Sequence, residues 1–315
     1  MSDFPTITWV TAGLAFTDYR PAIGPDGKTA VFERTTVGNT KDPTMLYVMD
    51  VFSTNLPQVF IESTGKSIAQ TRPDWCWITN QVAFNNSTVW IIDGNGENLT
   101  QLPLSHGYVY PHWWPKGNQL TMYNAKATAT PNPCSTVVSN EGDVVNTNIN
   151  GNDQNGVAVY GGMPAVNPCN PILIAYAGQP LVENWNGPDT GLGYNQTNNY
   201  IFLNTANNGT FSSSPMETGA SIDQYDNNFQ GRAPAWSPDG RYIVFESTRT
   251  DNQFALFLFD TQGNGTAPVQ ITDTSFRVQH AKFFPDGTKL ILCGKPTTTA
   301  HNGIGWVDIT QYLAS

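Results

Sequence analysis

Five side chains stand out for the chemistry they would do together: Arg20, Arg72, Tyr110, His112 and His280. Arg20, Arg72 and Tyr110 each stand directly before a proline, in "RPAIGPDG", "RPDWCW" and "YPHWWPKG", and His280 takes the corresponding place in "HAKFFPDG". His112 lies two places beyond Tyr110. Brought to one opening, guanidinium groups, a phenol and an imidazole bind an anionic group, or neutralise a carboxylate while the Tyr or His moves a proton. If the protein is an enzyme, Arg72, Tyr110, His280 and Arg20 are the residues to carry the reaction. The plainer reading gives the arginines carboxylate partners and a structural role, with Asp18, Asp74 and Glu33 as candidates.

Other catalytic signatures are missing. The chain has no G-x-S-x-G, no H-E-x-x-H and no Walker lysine, and "GLGYNQ" fits no phosphate cradle. "NTNINGNDQNG", from Asn146, imitates the start of a calcium loop. Its first ligand is a neutral Asn, however, and its twelfth position is Val157 where a bidentate Glu is needed. It reads as an Asn-rich turn. No cofactor is expected, a divalent cation at this loop being the one weak candidate.

Composition narrows the partners. Fifteen basic residues against 25 acidic ones give a formal charge of −10, which repels phosphate backbones and anionic lipid, so no nucleic-acid partner is expected. No window approaches the roughly 18 apolar residues of a membrane span. The start, "MSDFPTITWV", shows no secretion signal, as a mature form would not. Few Lys with many Asn and Thr lean towards an extracellular or periplasmic protein. Cys76 and Cys293 sit in apolar runs and read as buried, while Cys134 and Cys169 lie in loop text where a disulfide is possible.

The elements that must position the five side chains come from a repeat. "APAWSPDGRYIVFE", from Ala233, reads as a strand, a tight Pro-Asp-Gly turn and a second strand. The other copies are "RPAIGPDGKTAVFE" from Arg20, "RPDWCWITNQVAFN" from Arg72, "YPHWWPKGNQLTMY" from Tyr110, a decayed "MPAVNPCNPILIAY" from Met163, and "HAKFFPDGTKLILC" from His280. Strands such as "LYVMD", "VWIID" and "LFLFD" follow, ending in Asp and a polar turn. Six such units bury their faces on one another and close into a ring, predicting an all-β, six-bladed propeller of four-stranded antiparallel blades. Trp75, Trp113 and Trp236 are expected to fill the space between blades.

The pattern "PAWSPDG…I.F.S.R…LF..D" resembles the TolB-like, or WD40-like, propeller repeat over nearly the whole chain. The resemblance implies that "TITWVTAGLAF" supplies the outermost strand of the last blade, beside "TKLILC" and "GIGWVDI", and that the innermost strands begin near a central channel. Arg20, Arg72, Tyr110, Met163, Ala233 and His280 would then ring that channel. The chain as given has no counterpart of TolB's N-terminal α/β domain, which argues against that envelope role, and no room beside the blades for the hydrolase domain of prolyl oligopeptidases. Oligogalacturonate lyases resemble this repeat type too and hold a metal with histidines. His280 matches their "HPxFSPDG" histidine, but the companion histidine is Val278 here and the expected Gln before it is missing.

Two stretches depart from the period, at about 124–160 and 177–231, within a single propeller domain spanning 1–315. Loops this long on a compact scaffold are usually functional or disordered. The second carries Trp185, Tyr194, Tyr200, Tyr225 and Phe229 among Asn, Asp and Gln. Flat rings beside planar amides and carboxylates suit a sugar, whose C–H faces stack while its hydroxyls hydrogen-bond. With Trp114 and His112, these residues are the candidate ligand contacts, and the expectation is a monomeric, non-enzymatic, glycan-binding protein. The alternatives are a lyase-like or other enzyme using Arg72, Tyr110 and His280 in the channel, and a protein-interaction scaffold.

Overall fold

The Pro-Asp-Gly stretches fold as the tight turns their chemistry dictates. In "GPDGKT", Asp26 accepts the N–H groups of Lys28 (3.0 Å) and Thr29 (2.9 Å), and Gly27 takes φ +67°. Asp239 with Gly240, and Asp286 with Gly287, repeat the arrangement in the fifth and sixth copies. The computed structural model describes residues 4–11, 15–38, 42–61, 69–104, 107–124, 135–146, 149–152, 156, 158–180, 200–207, 210–216, 230–263, 267–298 and 300–313.

After a short strand β1 (Thr8–Trp9), each turn joins the two inner strands of a four-stranded antiparallel blade. Blade one is β2 (Phe16–Ile23), β3 (Thr29–Thr36), β4 (Met45–Asp50) and β5 (Gln58–Val59). Blade two is β6 (Thr71–Cys76), β7 (Gln81–Asn86), β8 (Thr88–Asp93) and β9 (Thr100–Gln101). Blade three is β10 (Tyr108–Trp113), β11 (Gln119–Asn124), β12 (Ser135–Ser139) and β13 (Val144–Asn146). Blade four is β14 (Val159–Val166), β15 (Leu173–Pro180), β16 (Tyr200–Asn207) and β17 (Thr210–Pro215). Blade five is β18 (Gly231–Trp236), β19 (Tyr242–Ser247), β20 (Ala255–Asp260) and β21 (Val269–Gln270). Blade six combines β22 (Gln279–Phe283), β23 (Lys289–Gly294) and β24 (Gly303–Asp308) with β1, which pairs Thr8 with Trp306 and Trp9 with Gly305. The N-terminal strand closes the ring, as the resemblance implies.

The core lies between adjacent blades. Val244 and Leu256 of blade five, for example, pack with Leu290 and Leu292 of blade six. Second strands are therefore apolar on both faces: every residue of β19 is buried. Trp75, Trp113 and Trp236 are buried, as expected of inter-blade fillers, and so are Cys76 and Cys293. Cys169 is an exposed free thiol, while Cys134 lies outside the described residues. Among the described residues there is no α-helix, and none long and apolar enough to cross a membrane.

Every innermost strand carries the same irregularity. Its ladder shifts register at Tyr19/Ala22, Thr71/Asp74, Val109/His112, Gly162/Ala165, Arg232/Ala235 and Gln279/Lys282. The first residue of each bulge is left-handed: Arg20, Arg72, Tyr110, Met163, Ala233 and His280 have φ between +45° and +56°. That backbone costs on the order of 1–2 kcal/mol per residue, so its surroundings must hold it.

Neighbouring blades do the holding. Glu33 accepts the N–H of Arg72 (2.5 Å), Asn85 that of Tyr110 (3.0 Å) and Glu246 that of His280 (2.6 Å), while Cys293 takes that of Arg20. Each acceptor is the last residue of its repeat copy. Blade three has Tyr123 at this position and lays the ring against Gly162, where an added Cβ would come within 2.8 Å of it. In blade four the residue at this ladder position, opposite Gly162, is Ala177, one place beyond the last residue of its copy. The bulges held in this way, in blades one, two, three and six, are the four that carry a polar side chain.

Candidate functional site in the axial channel

The six bulge residues line one end of the axial channel, around a space of about 60 Å³. They are unequal. Blades six, one, two and three contribute His280, Arg20, Arg72 and Tyr110, while blades four and five contribute only Met163 and Ala233. Arg20 Nη1 reaches both Glu33 oxygens (3.1 and 3.0 Å) and its Nη2 donates to Tyr110 Oη (3.3 Å). The Arg72 guanidinium lies 4.5 Å over the Tyr110 ring and hydrogen-bonds its phenol, and Tyr123 stacks on Tyr110 with ring centres 5.6 Å apart.

Electrostatics set these groups apart. Burial pushes the Tyr110 phenol up, but the Arg20 and Arg72 guanidinium groups outweigh it and hold it below the usual tyrosine value. Tyr19 and Tyr123, governed by burial, are pushed up instead. Burial, and then Arg20 and Arg232, hold His280 well below the ordinary histidine range, so its imidazole is neutral at pH 7. Tyr19 packs edge-on against that ring at 4.7 Å, and Arg232 pairs with Glu246. Arg20 Nε, Arg72 Nε and His280 Nε2 are buried without a partner among the described residues. The mouth therefore offers anion binding and, at Tyr110 Oη, proton transfer.

Two residues deeper, three strands place Asp74, His112 and Lys282 at a waist. Asp74 Oδ2 accepts from His112 Nδ1 (3.1 Å) and from Trp113 N (2.8 Å), and its Oδ1 accepts from Lys282 Nζ (3.2 Å). Burial alone would raise the Asp74 carboxyl, but His112 and Lys282 overcome it and hold it far below the carboxylate range.

Beyond the waist the channel widens into a funnel of about 310 Å³ on the Pro-Asp-Gly side. Trp75, Trp77, Trp113, Trp114 and Trp236 line it, with Asp74, His112 and Lys282 as its polar floor. Three of these indoles are satisfied by protein: Trp75 donates to Asn80, Trp77 to the Ile23 carbonyl and Trp236 to the Ala165 carbonyl. Trp113 Nε1 and Trp114 Nε1 are buried and have no acceptor among the described residues.

The structure sorts the expected residues. Arg20, Arg72, Tyr110 and His280 meet at the mouth; His112 and Trp114 belong to the waist and funnel. Of the candidate carboxylates only Glu33 pairs with a ring arginine; Asp18 holds Arg34 and Asp74 holds Lys282 and His112. Tyr200, expected as a ligand contact, is instead only 4% exposed and packs in the core of blade four with Val159, Tyr176 and Phe202, because it opens a strand buried between blades. Trp185, Tyr194, Tyr225 and Phe229 lie outside the described residues. In the Asn-rich turn, Asn150 spends its side chain on the Ser135 N–H and the Val159 carbonyl. Sequence reasoning missed Lys282, Trp77, Arg232 and Glu246. Lys282 was within reach, since it stands two places beyond His280 as His112 does beyond Tyr110.

No known family model and no curated protein matches the sequence. Solved structures do match. Oligogalacturonate lyase from Vibrio parahaemolyticus aligns with a TM-score of 0.58 at 10% identity, over 99% of this chain and 96% of that one. A gluconolactonase from Xanthomonas campestris gives 0.60 at 9% identity, over 98% and 95%. TolB from Acinetobacter baumannii gives 0.53 at 15% identity, over 78% of this chain and 52% of that one, so the chain spans about half of that TolB. At such identities the likeness concerns the fold alone, a six-bladed β-propeller of four-stranded blades that TolB shares. One solved lyase of this fold is described in complex with manganese. The donor set here does not fit such an ion: cations surround His280, and among the described residues no three His, Cys, Asp or Glu side chains converge.

Proposed function

We propose that this protein is a ligand-binding propeller whose tryptophan funnel takes a carbohydrate or similarly polar small ligand. One observation carries the reading: five tryptophans, Trp75, Trp77, Trp113, Trp114 and Trp236, line one cavity floored by the polar Asp74, His112 and Lys282. A sugar fits such a lining, with C–H faces to lie on the rings and hydroxyls to hydrogen-bond with the polar floor. The volume of about 310 Å³ falls within the range of small-ligand sites, about 300–1,000 Å³. The low content of Lys supports a place outside the cytoplasm, extracellular or periplasmic, and the closed ring supports a monomer.

The test is a glycan array with the full chain, followed by affinities for the best binder. Trp114→Ala is expected to weaken binding at least tenfold, about 1.4 kcal/mol, with the ring still folded. Trp114→Phe, which keeps a smaller ring, should fall between the two. A blank array, or full affinity in Trp114→Ala, contradicts the reading.

A further inference from the structure

Charge at the channel mouth does not balance. Arg20 is paired with Glu33, and Arg232 with Glu246. Arg72 has no carboxylate partner for its guanidinium among the described residues. Glu33 fixes its backbone, the guanidinium lies over Tyr110, and Nε is buried without an acceptor. An uncompensated cation in a buried setting is costly, so the mouth favours one added negative charge.

Two further unmatched atoms belong to residues that line the same space. Arg20 Nε and His280 Nε2 are also buried without partners, and both residues line it with Arg72. Met163 and Ala233 form the opposite wall and bring no charge. We infer that the mouth is a carboxylate-binding site, with Arg72 meeting the charge and Arg20, Tyr110 and His280 supplying polar contacts beside it. A guanidinium fork matches the two oxygens of a planar carboxylate. With one cation uncompensated, and Glu33 and Glu246 beside it, a monoanion fits better than a dianion such as phosphate.

Without a ligand, the group next to Arg72 that can supply the missing charge is the Tyr110 phenol. The charged and titratable groups facing it are Arg20, Arg72, Arg232 and Tyr123, with Glu33 behind Arg20. A bound carboxylate and the Tyr110 phenolate therefore compete for Arg72. Carboxylate binding weakens as pH rises through the tyrosine titration, and bound carboxylate pushes that titration upward. This site lies across the Asp74, His112 and Lys282 waist from the funnel, and its assignment does not rest on what the funnel binds.

Calorimetry on the full chain at pH 7 tests it with four probes: sodium acetate, carboxymethyl-dextran oligomers, unmodified dextran oligomers and inorganic phosphate. At least one carboxylate probe is expected to bind once per chain, at least tenfold tighter than phosphate. Arg72→Gln should weaken it tenfold or more. Met163→Glu, which places a carboxylate on the opposite wall and leaves the clamp residues untouched, should do the same. Binding of acetate identifies a free small acid as sufficient; binding of carboxymethyl-dextran alone identifies a carboxylate carried on a larger ligand. No binding of either, binding that survives both variants, or Arg72-dependent binding of unmodified dextran equal to that of the carboxymethylated form would overturn the assignment.

Discussion

Asp74→Ala is expected to cost about 3–5 kcal/mol of stability, because it takes one buried carboxylate away from the half-buried Lys282 and His112 and from a buried backbone N–H at once. Asp74 is the common partner of Lys282 Nζ, His112 Nδ1 and the Trp113 N–H, and it holds three blades to one another at the waist. Set against a typical total of roughly 5–15 kcal/mol, this is a large fraction. The denaturation midpoint should drop accordingly, and Asp74→Leu combined with Lys282→Met should recover much of the loss, since the pair is then absent on both sides. The pH dependence has a definite sign. The folded carboxyl lies below its unfolded value of about 3.9, so its contribution is complete above that value and is lost as the pH falls towards the folded one. Below pH ~4 the wild type should lose about 1.4 kcal/mol per pH unit that Asp74→Asn does not lose. Parallel acid profiles for the two proteins would contradict the assignment.

Glu246→Ala should be nearly as damaging, again about 3–5 kcal/mol. Its buried carboxylate pairs with Arg232 and accepts the N–H of left-handed His280, so its loss leaves a guanidinium and a strained backbone donor unmatched together. Glu246→Gln keeps an acceptor for that N–H and loses only the charge, and should therefore cost clearly less. Amide exchange at His280 provides the local readout: it should accelerate in Glu246→Ala far more than exchange at Arg72, whose N–H is held by Glu33. Equal acceleration at both positions would mean that global unfolding, not the clamp, is being observed.

The fold was legible because turn chemistry and strand text recur in phase. Asp26, Asp239 and Asp286 make the turns their sequence suggests, and the six residues expected around the channel are the ones the bulges place there. The site was half legible. Arg20, Arg72, Tyr110 and His280 could be named because each sits at a fixed point of the repeat. Their partners could not be chosen by proximity of type: Asp18 and Asp74 were as plausible for an arginine as Glu33 was, and only strand register decides. The clamp was present as the last residue of each copy, yet Glu33, Asn85, Glu246 and Cys293 share no chemistry beyond accepting a hydrogen bond, so alignment by residue type hides them. The funnel was hidden for another reason. A tryptophan that fills space between blades and one that lines a cavity have the same sequence context, and Trp113 and Trp236 do both.

Intrinsic tryptophan fluorescence during titration with the best array binder tests most directly whether ligand is taken in the tryptophan funnel. A saturable change in emission is expected in the wild type, with the amplitude and affinity both reduced in Trp114→Ala. Saturable binding detected by calorimetry that leaves the tryptophan emission unchanged and persists in Trp114→Ala would place the ligand elsewhere and contradict the account.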